Sequence, residues 1–312
     1  MKIVILDSRE TFIDWTALKA LGDVTQFEIR SDDSSEEETI ARIGDAEIVV
    51  TCKNKMGRKT FERCPHIRLV AIPSTGFDVV DVAAAKEHGV KVCNVPTYAT
   101  EAVAQFTFAL ILELCHAVGD HNRSVQNGDW SRCKDFCYWL SPQIELAGKT
   151  IGIIGYGRIG QQVGRIAEAF GMNVLYHNPH KEHSVSLDTL FAQADVISLN
   201  CRLTEENHHV INAESIAKMK DGVFIVNTAR GPLINEEDLA AALESGKIGG
   251  AAVDVVTGEP IREDNPLLGA KNCLITPHIA WSTAECRARL ADVTMKNIRA
   301  FLDGHPTNIV NE

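Results

Sequence analysis

The sequence predicts an α/β protein built from two doubly wound parallel sheets. Three observations carry that reading. Short β-rich runs alternate with amphipathic stretches through the first hundred residues. A long apolar helical pattern then interrupts them from Thr100 to about Ala117, and a second series of strand-like runs begins at Thr150. Strands that alternate with helical patterns form βαβ units, which lay their strands parallel and cover both faces of the sheet.

The 312 residues suffice for two domains of ordinary size, each with its own core. Hydrophobic residues make up 45% and charged ones 23%, as in soluble globular proteins. A net charge of −11 repels phosphate backbones and argues against nucleic acid as a partner. The opening "MKIVILDSRE" has four apolar residues in a row before Asp7, too few for a secretory core, and no window has the apolar length of a membrane span. The nine cysteines are odd in number and form no CxxC. The one close pair, Cys133 and Cys137, has the spacing of neighbours on a helix rather than of a zinc knuckle. All nine are expected to be reduced thiols of a cytosolic protein.

In order along the chain, "KIVIL" (2–6), "TQFEI" (25–29), "EIVV" (47–50), "RLVAI" (68–72) and "KVCNV" (91–95) read as strands. In "SSEEETIARIG", Ser35 and Glu38 have the spacing of a capping box, and the acids from 32 to 38 suit a helix N-terminus. "TEAVAQFTFALILELCHA" (100–117) is helical, and the Gly, Pro and aromatic residues of 127–150 break its period into a loop. The second series runs "TIGIIG", "MNVLYH", "ADVISLN", "GVFIVNT", "GGAAVDV" and "CLITP", before one amphipathic helix from Thr283 to Leu302. This places a first domain at 1–99 plus 283–312 and a second at 100–282.

"GIIGYGRIG" spaces Gly155, Gly157 and Gly160 as G-x-G-x-x-G between an apolar strand and a helix. In that context the first glycine makes a tight turn and the second admits a pyrophosphate. The third lets the helix close on the strand. The acid that holds an NAD ribose is expected at the end of the next strand, where "GMNVLYHNPHKE" offers Asn178. Asparagine keeps an acceptor for the ribose but not the charge that repels a 2′-phosphate. NAD(H) is therefore favoured, with NADP(H) admitted. Two decoys fall away. "AGKT" (147–150) lacks the first glycine of a phosphate loop, and His177, His180 and His183 have no carboxylate or thiolate at ligand spacing, so no metal is expected.

Three later strand ends carry polar groups where open α/β sheets bind ligands: Thr228-Ala229-Arg230, Asp254 followed by Glu259, and His278. A guanidinium grips a carboxylate bidentately, an imidazole moves a proton near neutral pH, and a carboxylate orients it and favours its charged form.

These segments, with "STGFDVVDVAAAKEHGVKVCNVPTYATEAVAQFTFAL" and "VNTARGPLINEEDL", make the chain resemble the D-isomer-specific 2-hydroxyacid dehydrogenases along almost its whole length. Within them it is most similar to the glycerate dehydrogenases, or hydroxypyruvate reductases. The resemblance implies a flavodoxin-like substrate domain and a Rossmann NAD(P)-binding domain, with the active site between them, in a homodimer. It implies Arg230, Glu259 and His278 as the catalytic residues. Cofactor contacts are implied from Gly155, Gly157, Arg158, Ile159, Gly160, Asn178, Cys201, Thr228, Ala229 and Asp254, the last to the nicotinamide carboxamide. The backbone amides of Ser74, Thr75 and Gly76 join Arg230 in binding the substrate. The activity implied is NAD(P)H-dependent reduction of a small 2-oxo acid, hydroxypyruvate to D-glycerate or glyoxylate to glycolate. A phosphorylated substrate is disfavoured because "PSTGFD" is uncharged before Asp78 and "DFCYWL" is apolar. D-Lactate or a 2-oxoisocaproate-type substrate, and a non-enzymatic NAD(H)-sensing corepressor, are the alternatives.

Overall fold

The computed structural model describes residues 1–11, 13–28 and 35–312. Ile29, the end of the strand proposed at 25–29, and Asp32 and Asp33 of the acidic run lie outside the described residues. The chain divides into two units, Met1–Ala99 with Ser282–Glu312, and Thr100–Trp281.

The first unit is a five-stranded parallel sheet of β1 (Lys2–Ile5), β2 (Asp23–Gln26), β3 (Ile48–Val50), β4 (Leu69–Ala71) and β5 (Lys91–Cys93), ordered β2-β1-β3-β4-β5. The second strand begins earlier than its apolar run, because parallel pairing with β1 starts at Lys2 opposite Asp23. Around the sheet lie α1 (Ser8–Thr11), α2 (Glu36–Ile43), α3 (Arg58–Arg63), α4 (Val82–Glu87) and the last helix of the chain, α12 (Ala284–Leu302). Ser35 caps α2 in a full capping box with Glu38. Return of α12 to this unit is fixed by polar bonds: Asn297 Nδ2 donates to Asn94 O at 2.9 Å, and Arg289 Nε to Tyr98 O at 2.7 Å.

At the carboxyl end of β1, Asp7 is only 1% exposed. Its carboxylate accepts bonds from Thr51 Oγ1 (3.0 Å) and from the backbone N–H groups of Cys52 (2.9 Å), Lys53 (2.6 Å) and Asn54 (3.1 Å). These donors sit on the loop after β3, so the carboxylate fills the point at which this strand order reverses direction.

The second unit is a six-stranded parallel sheet of β6 (Thr150–Ile154), β7 (Asn173–His177), β8 (Val196–Leu199), β9 (Val223–Asn227), β10 (Ile248–Val253) and β11 (Cys273–Ile275), ordered β11-β10-β9-β8-β6-β7. Its helices are α5 (Thr100–His116), α6 (Val118–Gln126), α7 (Asp129–Arg132), α8 (Arg158–Ala169), α9 (Leu187–Gln193), α10 (Ala213–Ala217) and α11 (Glu236–Ser245). A Rossmann sheet carries one more strand beyond β7. Here that place holds a single backbone bond, from Val185 N–H to Tyr176 O at 3.0 Å. The turn from Asn178 to Ser184 leaves too little chain for a strand before Ser186 caps α9.

The helix from Thr100 ends at His116, within a residue of the end that the sequence pattern gives, and after the left-handed Ala117 (φ 44°) α6 follows on a new course. One detail differs from the sequence reading. The proposed loop 127–150 contains α7, and this helix ends at Arg132, so Cys133 and Cys137 are not neighbours on a helix. Asp129, at the start of α7, accepts from Ser124 Oγ and Arg132 Nη2, and the helix ends where the chain becomes extended at Cys133. Among the described residues no single helix is long and apolar enough to cross a membrane.

Replacing Asp7 by Ala should destabilise the protein by about 1–3 kcal/mol or more, because buried amide donors lose a charged acceptor. Urea unfolding, read at the midpoint with an unchanged slope, checks this. A midpoint equal to that of the native chain would show that the cradle has no energetic weight.

Candidate active site

Every polar group of interest in the second unit lies at the carboxyl edge of its sheet. The glycine loop leaves β6 next to β8, where the strand order reverses. Gly155 has φ 93°, and a Cβ there would lie 2.5 Å from Cys201 N at the end of β8. A Cβ on Gly160 would lie 2.1 Å from Gly155 O. Both positions therefore exclude side chains, and α8 closes on its strand. Gly157 differs: it caps α8, and a Cβ there would meet no protein atom within 4 Å. The first turn of α8 has neither a side-chain cap nor an acid. An uncapped helix start facing open space is a ready seat for a phosphate.

Other features fit a dinucleotide at this edge. Asn200, just beyond β8, has a buried side-chain amide (Nδ2) with no bonding partner. Arg158 is exposed, Ile159 is half-buried, and burial pushes the neighbouring Cys201 thiol up to about 11, so it stays neutral. Tyr156 stacks on Tyr176 with ring centres 3.8 Å apart, and its hydroxyl lies where a Cβ on Gly164 would come within 2.9 Å. The aromatic pair thus braces the loop from the outside.

Asn178 stands at the end of β7, and its surroundings refine the expectation for it. Its side-chain oxygen accepts the His180 N–H at 3.1 Å, while its own N–H donates to Ser184 Oγ at 2.8 Å. The acceptor counted on for a ribose is therefore already shared with the turn, and the Nδ2 amide is the group left unpaired. His180 and His183 are exposed, and His177 bonds Val185 O at 2.8 Å. Among the described residues no group of three or more His, Cys, Asp or Glu is arranged to hold a metal.

At the end of β9, Asn227 is fully buried. Its Oδ1 accepts the Ala229 N–H at 3.0 Å and its Nδ2 donates to Arg230 O at 2.8 Å. Thr228 Oγ1 lies 3.0 Å from Thr107 Oγ1 on α5. Arg230 is exposed; its Nη1 donates to Ala229 O at 2.7 Å, and among the described residues no carboxylate pairs with it. Its remaining N–H groups can meet an anion from outside. Gly231 then passes so close to the next loop that a Cβ would lie 2.0 Å from Val256 C.

Beyond β10, Asp254 is 2% exposed, and its carboxylate is saturated by the chain itself. Oδ1 accepts from Thr276 Oγ1 at 2.6 Å and Ile279 N–H at 2.9 Å, and Oδ2 from Ala280 N–H at 2.8 Å. The backbone N–H of His278 donates to Asp254 O at 2.8 Å. These bonds wrap the turn on which His278 adopts φ 54°, a left-handed conformation that a non-glycine residue holds only under such constraint. The Nδ1 of His278 lies 2.6 Å from Glu259 Oε2, with the two side chains 35% and 31% exposed. With Nδ1 committed to the carboxylate, Nε2 is the nitrogen free to exchange a proton with a ligand.

Arg230, Glu259 and His278 are thus brought onto three adjacent strand ends. Ser74, Thr75 and Gly76 belong to the first unit. There Ser74 N–H is taken by Ile72 O at 2.8 Å, while Ser74 Oγ bonds Gly76 O at 2.6 Å and Thr75 Oγ1 bonds Val95 O at 2.8 Å. Of the three amides, Ser74's is already used, so Thr75 and Gly76 are the ones with a donor to offer. Asn227 and Thr276 were not singled out in the sequence. Their signal is a polar residue closing an otherwise apolar strand, in "VFIVNT" and "CLITP".

Residues 108–280 match the family model described as D-isomer specific 2-hydroxyacid dehydrogenase, NAD binding domain. A hydroxypyruvate reductase of Blautia hydrogenotrophica is 53% identical, with the whole of both chains covered. Among solved structures, the TT0316 protein of Thermus thermophilus superposes with a TM-score of 0.89 at 33% identity, covering 99% of this chain and 100% of that one. The D-lactate dehydrogenase of Aquifex aeolicus, solved with NAD and lactic acid, does so with a TM-score of 0.84 at 29% identity, covering 99% of each chain.

Proposed function

The chain belongs to the D-isomer-specific 2-hydroxyacid dehydrogenases, and from that premise we propose that it reduces a small 2-oxo acid to the D-2-hydroxy acid, with hydroxypyruvate to D-glycerate as the principal pair. The observation that carries the reading is the His278–Glu259 contact of 2.6 Å on the strand ends that also present the exposed guanidinium of Arg230. The full-length likeness to a hydroxypyruvate reductase supports the choice of substrate.

When bound, the nicotinamide cofactor supplies the hydride that reaches the 2-oxo carbon. The chain's own residues do the rest. Arg230 holds the substrate carboxylate through the planar fork of its guanidinium, which fixes the oxo group in one orientation. His278 gives a proton from Nε2 to the carbonyl oxygen as it becomes an alcohol. Glu259 holds Nδ1, so the ring cannot turn away and Nε2 stays directed at the substrate side. The first turn of α8 and the open face of Gly157 take the pyrophosphate, with Arg158 and Ile159 beside it, and Thr228, Ala229 and Cys201 line the cofactor's path. Asp254 acts on the cofactor side chiefly through the turn it holds.

The His278→Ala variant is expected to lose about 10²- to 10⁴-fold in kcat for hydroxypyruvate while NADH still binds, because the proton donor goes but the glycine loop stays. Steady-state kinetics beside NADH fluorescence titration separate the two. Near-native kcat at neutral pH would remove His278 from the role. The same assay run on glyoxylate, pyruvate and 2-oxoisocaproate tests the substrate, since a higher kcat/KM for any of these would displace hydroxypyruvate.

NADH is the preferred cofactor and NADPH is used appreciably. At position 178 there is no negative charge to repel a 2′-phosphate, and the free Nδ2 amide is a donor. Yet no arginine follows at 179–183 to clamp a phosphate. Asn178→Asp should suppress NADPH use selectively, measured as the NADH/NADPH ratio of kcat/KM at fixed ionic strength. A ratio unmoved by the substitution would show that Asn178 does not face the ribose.

The enzyme acts as a cytosolic homodimer. Within residues 118–140 of the second unit Val118, Trp130, Phe136, Trp139 and Leu140 are 51–89% exposed, an apolar stretch of the kind that marks an interface. Sedimentation equilibrium should give twice the chain mass of 34.2 kDa, and Phe136→Asp with Trp139→Asp should shift it toward one chain mass. A native protein that sediments as a monomer at micromolar concentration would end this part of the reading.

A further inference from the structure

We infer that Asn227 is a positioning residue for substrate binding: it sets the Thr228–Arg230 turn so that the Arg230 guanidinium is presented to the carboxylate. The inference rests on the reading of Arg230 as the carboxylate's partner. Asn227 is fully buried at the end of β9, yet it is polar, and all its side-chain bonds go to one turn. Its Oδ1 accepts Ala229 N–H at 3.0 Å and its Nδ2 donates to Arg230 O at 2.8 Å. One amide thus clamps the turn at both ends. Its main-chain oxygen accepts the Asp254 N–H at 2.9 Å, so the clamp is keyed to the strand whose loop carries Glu259. On the far side the turn has no room to drift, because Gly231 abuts the backbone of Val256.

An amide is needed here because the two partners differ in kind, one N–H and one carbonyl. Aspartate has the same shape and can still accept from Ala229, but its second oxygen faces the Arg230 carbonyl oxygen with no hydrogen between them. A buried carboxylate in that position gains by taking up a proton, and the neutral acid restores the donor. The charged groups around the turn are Arg230 on the turn itself, Asp254 at the end of β10, Glu259 and His278 beyond it, and Glu236, whose carboxylate accepts the Thr257 N–H at 2.6 Å beside Gly231. All are present in variant and native protein alike.

The test is the Asn227→Asp variant, with oxamate as a carboxylate-bearing probe bound to the NADH complex. Oxamate affinity near pH 8 is expected to fall about tenfold to a hundredfold relative to the native protein. The variant-to-native ratio should return toward one as pH is lowered to about 5.5, and the dissociation constant of NADH should stay within about twofold. Asn227→Ser, which loses the clamp without adding a titrating group, should weaken oxamate at every pH and show no recovery. A native protein that binds no oxamate would overturn the reading of Arg230 and this inference with it. If the native protein binds oxamate and Asn227→Asp binds it equally well at pH 8, only the inference is overturned. The same holds if NADH binding falls in parallel or if neither variant folds, for then Asn227 supports the fold and does not position Arg230.

Discussion

The buried carboxylate of Asp254 is the constraint on which the second unit's site depends. A charge that is 2% exposed is tolerated because three donors from residues 276–280 converge on it. Those bonds shape the left-handed turn at His278, and the turn in turn delivers Nδ1 to Glu259. The backbone of Asp254 reaches the other way, to Asn227 O on β9. Three strand ends become one linked edge, with the side chains of Arg230, Glu259 and His278 on its outside and the buried Asp254 within.

The two sheets share an order around their reversal points but use them in opposite ways. In the first unit, the amides of Cys52, Lys53 and Asn54 point into a cradle that Asp7 fills. In the second, the helix that follows β6 starts at Gly157, with no side-chain cap and no acid in its first turn. A nest of amides attracts an anion in either case. The first unit supplies that anion internally, from Asp7.

Much of this was legible in the sequence because it rests on local rules. Apolar runs marked each strand, and the glycine spacing marked the loop after β6. The polar residues Arg230, Asp254 and His278 could be placed on adjacent strand ends from spacing alone. What stayed hidden depended on contacts between distant segments. No periodicity separates a Thr276 that bonds Asp254 from any other threonine, and Asn227 looks like the end of a strand until its two bonds to the next turn are seen. At Asn178 the residue was found but its engagement was not, because an Asx turn is decided by the chain that follows.

Steric exclusion completes what the hydrogen bonds begin. Three of the glycines at this edge mark places where two backbones meet: Gly155 against Cys201, Gly160 against Gly155, and Gly231 against Val256. The first two close the nucleotide loop on its helix and on β8. The third locks the arginine turn to the loop that carries Glu259. Each contact lies well inside the distance that any Cβ allows, so none can be softened by a small side chain. The turn that carries Arg230 and the loop that carries Glu259 are thereby held against each other. In such a site, geometry between the reacting groups comes from backbone contacts beneath them, which leaves the exposed side chains free to be chosen for chemistry alone.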